Sequence, residues 1–505
     1  MNSNSSRVIT STGILVLALM LGCRTTTSSF ENHPLNTLLD SLVIGEFQRL
    51  GFQSGLSIAV VQNGAVVFQK DYGYTNIEAG TPSHNQSVYY LASSTKSLMG
   101  LAVANLAHQG KIDIDAPIGT YLPQIDWNEI GAADITIRHL LTHQSGLSNE
   151  PIDFRAAFSG DYTDTQMIDL LRVTESGDRD FNYTNFGYIL AAMAIQEATS
   201  LTWQSLLETE VFSPLEMNST STEPNDFASD QLALPYSWLG NDGHKRLYLT
   251  KTSKTMHPAG GVLSTALDMA KLLQVELTGG LIDGQRIFPQ AVIDATAEKQ
   301  ASVDANFFTY HRTGYGLGWY ISDYDGDTLI HHFGSFSGFR PHVSFMPAHG
   351  IGVVVLSNDT SPLSFNIPDM VANQIYDILL EKDHVAESRQ KYGASTEMMI
   401  GRMAQYLERE RQKMAARPQS PILPLPFYSG IFENREMGLL RVSEEAGRLV
   451  ANIGNLHAEM PPYSLEHKFR VELVPGSGRV ITYLDSSGIA ADSLRYKDKV
   501  WKRVE

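Results

Sequence analysis

Cysteine is almost absent from the 505 residues. Cys23 stands alone, which excludes an internal disulfide and any zinc or iron–sulfur site built on several thiols. Basic residues are also scarce. The 38 Lys and Arg are outnumbered by 55 Asp and Glu, for a net charge of −17, and they form no block. A phosphate backbone would be repelled, so nucleic acid is not an expected partner. The apolar run at residues 14–21 is too short to cross a bilayer, which takes about 20 residues. What is present is globular composition, with 43% hydrophobic, 9% aromatic and 18% charged residues. The length implies two or three folded units.

The amino terminus has a basic residue, Arg7, then the apolar run, then Gly22-Cys23. This is the layout of a signal with a cleavage site. Leu19-Met20-Leu21-Gly22-Cys23 resembles a bacterial lipobox, which implies a lipidated Cys23 and membrane attachment through that anchor. Residues 1–23 are then a lipoprotein signal peptide and 24–36 a tether. By the same resemblance Arg24, rather than Asp, after the cysteine points to the periplasmic side of the outer membrane if the host has one. A cell-envelope location is expected.

Residues 55–68 form two apolar runs around Asn63-Gly64, a strong hairpin signal. After Ser93, the spacing of Leu98, Leu101, Ala102, Ala104 and Leu106 predicts a helix that stops at Gln109-Gly110. Helices are also predicted at 186–198 and 266–277 within a largely helical stretch, 135–280. Strand character returns at 315–321, 328–330, 340–346 and 351–356. Residues 381–417 are charged and helix-prone, and Pro418, Pro421, Pro424 and Pro426 follow them. The expected units are a hydrolase domain at 37–385, a helical and Pro-rich linker at 386–426, and a small β domain at 427–505.

Ser93-Ser94-Thr95-Lys96 is an SxxK tetrad whose helical spacing sets the ammonium beside the hydroxyl. A second tetrad, Ser388 to Lys391, lies in a solvated run. Only Lys96 has the apolar surroundings that would lower its pKa and let it help remove the serine proton. Tyr183-Thr184-Asn185 adds a phenol that could ionise near a cationic lysine and an amide that could hold a carbonyl. The similar Tyr74-Thr75-Asn76 is read as a turn. His332-Phe333-Gly334 enters a strand, where Gly334 would let substrate backbone approach closely, while His108-Gln109-Gly110 is only a helix end. His139 and His143 are four apart, but the glutamate of a metalloprotease pair is missing, so no metal is assigned. His331 points away from His332 on a regular strand. Met398, Met399 and Met403 are read as a packing face.

The ordered set resembles the serine β-lactamase and penicillin-binding protein superfamily, in its class C, DD-peptidase and esterase branch. It comprises Leu91 to Lys96, Ile135 to Leu147, Tyr183 to Tyr188, Pro258-Ala259-Gly260-Gly261, Tyr315-Gly316-Leu317-Gly318-Trp319 and His332 to Gly334. The resemblance covers about residues 35–380. It implies Ser93 as acylated nucleophile, Lys96 and Tyr183 as proton-handling partners, and Asn185 as a substrate ligand. It also implies an oxyanion hole from the Ser93 and Ser335 N–H groups. His332 replaces the lysine usual in the third motif and is mostly neutral at pH 7, which leaves Arg340 as the candidate to supply the missing charge. The terminal segment, in Tyr428-Ser429-Gly430-Ile431-Phe432 and Leu439-Leu440-Arg441-Val442, resembles a lipocalin-like barrel.

The expectation is therefore an α+β fold, with an antiparallel sheet flanked by helices, a helical subdomain and a small all-β domain that is expected to be a barrel. The expected activity is that of a serine hydrolase acting through an acyl-enzyme on a peptide, ester or β-lactam, with no cofactor. The alternative is a non-catalytic or slow-turnover envelope lipoprotein that binds penicillin or peptidoglycan.

Overall fold

The computed structural model describes residues 33–484 and 489–505. Cys23, the signal and most of the tether lie outside the described residues. Asn63 and Gly64 both take positive φ, +51° and +79°, the backbone of a two-residue hairpin turn. They join Leu56–Gln62 to Ala65–Tyr72. This hairpin ends an eight-stranded antiparallel sheet. From the far edge the order is Ala301–Phe307, Tyr310–Tyr315, Tyr320–Tyr324, Asp327–Phe333, His342–Met346, Ile351–Ser357, Leu56–Gln62 and Ala65–Tyr72.

Both faces of the sheet are covered, so its central strands read as continuous apolar runs. Ala59, Val61, Val354 and Leu356 face one core with the helix Ala266–Thr278. Their neighbours Ile58, Val60, Val353 and Val355 face a second core, under the helices Leu35–Leu42 and Ile367–Leu379. The strand expected at 315–321 is instead two strands. Gly316 to Trp319 turn between them, with the Gly316 N–H bonded to Trp319 O at 2.8 Å.

The expected linker helix, Val385–Ala415, packs into the body of the first domain. Tyr392, Ile400 and Met403 join the second core, and Met399 packs against it, while Met398 is exposed. Ser388 and the exposed Lys391, the second SxxK pair, lie on this helix.

The terminal domain is a nine-stranded antiparallel sheet whose two edge strands, Leu456–Glu459 and Pro462–Ser464, are consecutive in sequence. Only Met460 and Pro461 separate them. The Met460 N–H donates to Leu449 O at 2.8 Å and Pro461 O accepts from the Arg470 N–H at 2.9 Å. One bent segment thus passes from the strand Arg448–Ile453 to the strand Lys468–Val471. The two prolines at the bend cannot donate to a ladder. The sheet therefore rolls around its own core of Phe432, Leu440, Ile453, Ile481, Leu494 and Trp501, the all-β barrel geometry expected from the sequence.

Candidate active site

Ser93 lies at the junction of the short strand Tyr89–Tyr90 and the helix Thr95–His108. Ala92, just before it, sits at φ +45°, a left-handed conformation that costs an alanine on the order of 1 kcal/mol. Surrounding contacts hold it there. The Leu91 N–H donates to Val262 O at 2.9 Å, and the Ser94 hydroxyl donates to His332 O at 2.8 Å. Gly334 completes the clamp, because a Cβ there would run into Leu91 O and Pro341. This corrects the sequence reading. The space that glycine opens is filled by the Leu91–Ala92 turn before Ser93 rather than by a substrate backbone.

Lys96 is fully buried. Its Nζ lies 2.8 Å from Asn185 Oδ1, 2.8 Å from Ala259 O and 3.2 Å from Ser93 Oγ. The first two partners can only accept. A neutral amine has two N–H bonds and one lone pair, so with both N–H bonds directed at these carbonyls the lone pair is left for the Ser93 hydroxyl. Burial favours that neutral form and pulls the Lys96 ammonium down to about 7, although Asp153 draws it up. Asn185 opens the helix Phe186–Thr199 without capping it by its side chain, since its oxygen is committed to Lys96.

Tyr183 is 37% exposed overall, yet its hydroxyl reaches Ser93 and desolvation raises its pKa well above 10. The expected ease of ionisation is thus corrected. The same burial that neutralises Lys96 keeps the phenol protonated. The Tyr183 loop hangs on His143, whose carbonyl accepts from the Asn182 N–H at 2.9 Å and whose Nδ1 accepts from the Thr184 N–H at 3.3 Å. The His143 ring lies tilted against Tyr183, with ring centres 4.4 Å apart, and edge-on to Tyr315 at 4.8 Å. His139 does a separate job, capping its helix through Thr136.

His332 is 1% exposed. Its Nδ1 is 2.9 Å from Phe333 O and its Nε2 3.1 Å from Tyr315 Oη. The carbonyl requires a proton on Nδ1, leaving Nε2 to accept from the phenol. Desolvation, then Lys96, lower its pKa well below 6.5, so it brings no cation. His331 points into the opposite layer, bonded to Ser322 at 2.8 Å. Ser335 is exposed just past the strand end.

Arg340 does not join the cleft, which corrects its expected role in substrate binding. It is 1% exposed, paired with Asp369 at 2.8 Å, and its remaining N–H groups reach Phe365 O, Gly334 O and Pro341 O. Asp369 also meets His342, which meets Ser344, each at 2.7 Å. This serine–histidine–aspartate string is sealed between sheet and helix, with all three side chains fully buried.

Two residues were missed from sequence because no local pattern marks them. Asp153 has a buried oxygen with no hydrogen-bond partner among the described residues. Burial raises its carboxyl to about 7 while Lys96 draws it down. Arg312 lies beside Tyr183 and Tyr320.

The antiparallel sheet, the helical subdomain and the serine, lysine and tyrosine gathered in one cleft define a protein of the β-lactamase and penicillin-binding type. The Beta-lactamase family profile matches residues 45–374, about two thirds of the chain, and the chain belongs to that family. Protein flp of Staphylococcus aureus strain COL is 23% identical over 330 residues, covering 63% of this chain and 62% of the relative, less than two thirds of its length. The putative penicillin-binding protein PbpX of Bacillus subtilis strain 168 is 27% identical over 339 residues, 66% of this chain and 76% of the relative. Among solved structures, the octameric penicillin-binding protein homologue from Pyrococcus abyssi superposes with a TM-score of 0.57 at 22% identity, covering 93% of this chain and 99% of the other. D-Amino acid amidase from Ochrobactrum anthropi SV3, complexed with L-phenylalanine amide, gives a TM-score of 0.58 at 23% identity, covering 69% and 97%. These two show the likeness of fold.

Proposed function

We propose that the protein is a serine hydrolase that forms an acyl-enzyme on Ser93 and releases it to water. The observation that carries this reading is the Lys96 amine, whose two carbonyl acceptors leave its lone pair for the Ser93 hydroxyl. The Ser93 oxygen attacks an acyl carbonyl as its proton passes to Lys96. The ammonium that forms is supported electrostatically by Asp153. The developing oxyanion is met by the Ser93 and Ser335 N–H groups; a lost donor of this kind costs about 100- to 1,000-fold in rate. Collapse breaks the bond to the leaving group, which takes the proton from Lys96 through the neutral Tyr183 phenol. Water then repeats the sequence on the acyl-enzyme, and Ser93 is regenerated.

An ester or amide without a free carboxylate is favoured, because the neutral His332 supplies no charge for the carboxylate of a β-lactam or of a D-alanyl-D-alanine terminus. The reading is tested with the protein and its Ser93→Ala variant against an activated acyl ester, a D-alanyl-D-alanine peptide and nitrocefin. Ser93→Ala is expected to lose about 1,000-fold or more in kcat/KM on whichever class is cleaved, and all labelling by a fluorophosphonate. Turnover that survives the substitution would refute the mechanism. A stable adduct without product would instead identify a slow-turnover binder.

A further inference from the structure

The helical subdomain encloses a cavity of about 340 Å³ that none of Ser93, Lys96, Tyr183 or His332 lines. Its size falls in the usual range for small-molecule sites, about 300–1,000 Å³. The walls come from the helices Asp164–Leu170, Phe186–Thr199 and Trp203–Leu207, and from the loop that reaches Pro258. That loop joins it to the catalytic residues. Met256, His257 and Pro258 form one wall, and the next residue, Ala259, accepts from Lys96 through its carbonyl.

His257 is the unusual member of this lining. It is 5% exposed, and its Nδ1 has no hydrogen-bond partner among the described residues. The turn that carries it is closed and packed. The Gly260 N–H donates to His257 O at 2.9 Å, and a Cβ on Gly261 would run into the His257 backbone and the Trp203 ring. A buried polar atom left unpaired costs stability unless something reaches it. Here it stands in the wall of a space that a ligand can enter.

The lining also limits the ligand's chemistry. Met167, Met193 and Met256 face the cavity with Trp203, and thioethers adapt to irregular shapes and make favourable contacts with aromatic rings. A ring suits them. No lysine or arginine lines the cavity, and its two carboxylates, Asp164 and Glu197, are exposed, so a charged ligand would lose its water without a buried counter-charge. Desolvation, then Lys251 and Lys96, lower the His257 pKa well below 6.5. The imidazole is therefore neutral at pH 7, with one nitrogen a donor and the other an acceptor. A hydroxyl group can donate or accept, and so meets Nδ1 in either tautomer.

We propose that this cavity is a second ligand site, separate from the catalytic cleft, for a small neutral ring compound that carries a hydroxyl group bonded to His257. The site is tested with p-cresol and p-xylene, which differ only by a hydroxyl in place of a methyl group. Each is titrated into the protein carrying isotope-labelled methionine methyl groups, assigned by single Met→Leu substitutions and followed by NMR. p-Cresol is expected to shift the signals of Met167, Met193 and Met256 and to leave the other methionines in place. His257→Leu should lower the p-cresol-to-p-xylene ratio of association constants about 5- to 50-fold, the effect of one hydrogen bond to a buried group. Ala192→Phe, which fills the cavity from the helix Phe186–Thr199, should abolish binding of both probes. If that variant does not fold, the methionine shifts in the native protein still locate the probe. A ratio unchanged by His257→Leu would overturn the proposal, and so would shifts at other methionines instead. No shift from either probe would also overturn it, by showing a cavity that holds water alone. None of these readouts depends on acylation of Ser93, so this site and the acyl-enzyme reading stand or fall separately.

Discussion

At the scale of single residues, Lys96 carries the strongest electrostatic consequence. In the proposed mechanism its neutral form is the base, so kcat/KM on an uncharged ester is expected to rise with pH through about 7 and level off above it. Lys96→Met should abolish activity and that rise together. Stability moves with pH in the same direction. The folded value lies below the reference near 10.4, so between the two the unfolded chain holds the extra proton and stability increases with pH across that window. At pH 7, Lys96→Met should therefore stabilise the fold by about 1–3 kcal/mol net of the hydrogen bonds it removes, read as a higher urea midpoint. The tetrad that marks Lys96 was visible in the sequence, because a helical turn fixes what lies three positions along. Arg340 was misjudged because the carboxylate that claims it, Asp369, is 29 residues away.

At the scale of elements, the site is a set of chain segments pressed together at glycines. The Tyr315-to-Trp319 motif was legible as letters, but its work was not. Gly318, at φ +88°, packs on Lys96 O, and Gly100 in the helix Thr95–His108 packs on Leu317 O. A methyl group at Gly100 would meet backbone that cannot rotate aside. Gly100→Ala is expected to cost about 2–3 kcal/mol in stability and, by moving the helix, to lower kcat on an activated ester more than it raises KM. Chemical denaturation and steady-state kinetics on the same preparation check both. Helix periodicity had placed 186–198 and 266–277 to within a residue or so of the observed Phe186–Thr199 and Ala266–Thr278. Ala301–Phe307 was not anticipated. Its burial is broken and its register with the next strand shifts, so no clean alternation marks it.

At the scale of the whole molecule, the barrel docks beside the cleft. Arg155 is buried, and its guanidinium donates across the boundary to Glu436 O at 2.7 Å and Arg435 O at 3.2 Å. Ser159 O accepts from the Asn455 N–H at 2.7 Å, and Lys497 pairs with Glu150 at 3.3 Å. Phe336, one residue past Ser335, packs against the cores of both domains. Arg155→Ala leaves these carbonyls unpaired, at about 1–3 kcal/mol, and is expected to split thermal unfolding into two transitions in calorimetry. Among the described residues no helix is long and apolar enough to cross a membrane. Attachment is proposed through Cys23, and Cys23→Ala should move the protein from the membrane pellet to the soluble fraction of cells. Taken alone, the sequence determined the order of the motifs, the hairpin, the major helices and the barrel's place in the chain. Each of these depends on neighbours a few positions apart. Only the tertiary structure decided which charges are free. Burial and pairing are made by residues far apart in sequence, and they lowered the pKa values of Lys96 and His332 and consumed Arg340 in its pair with Asp369.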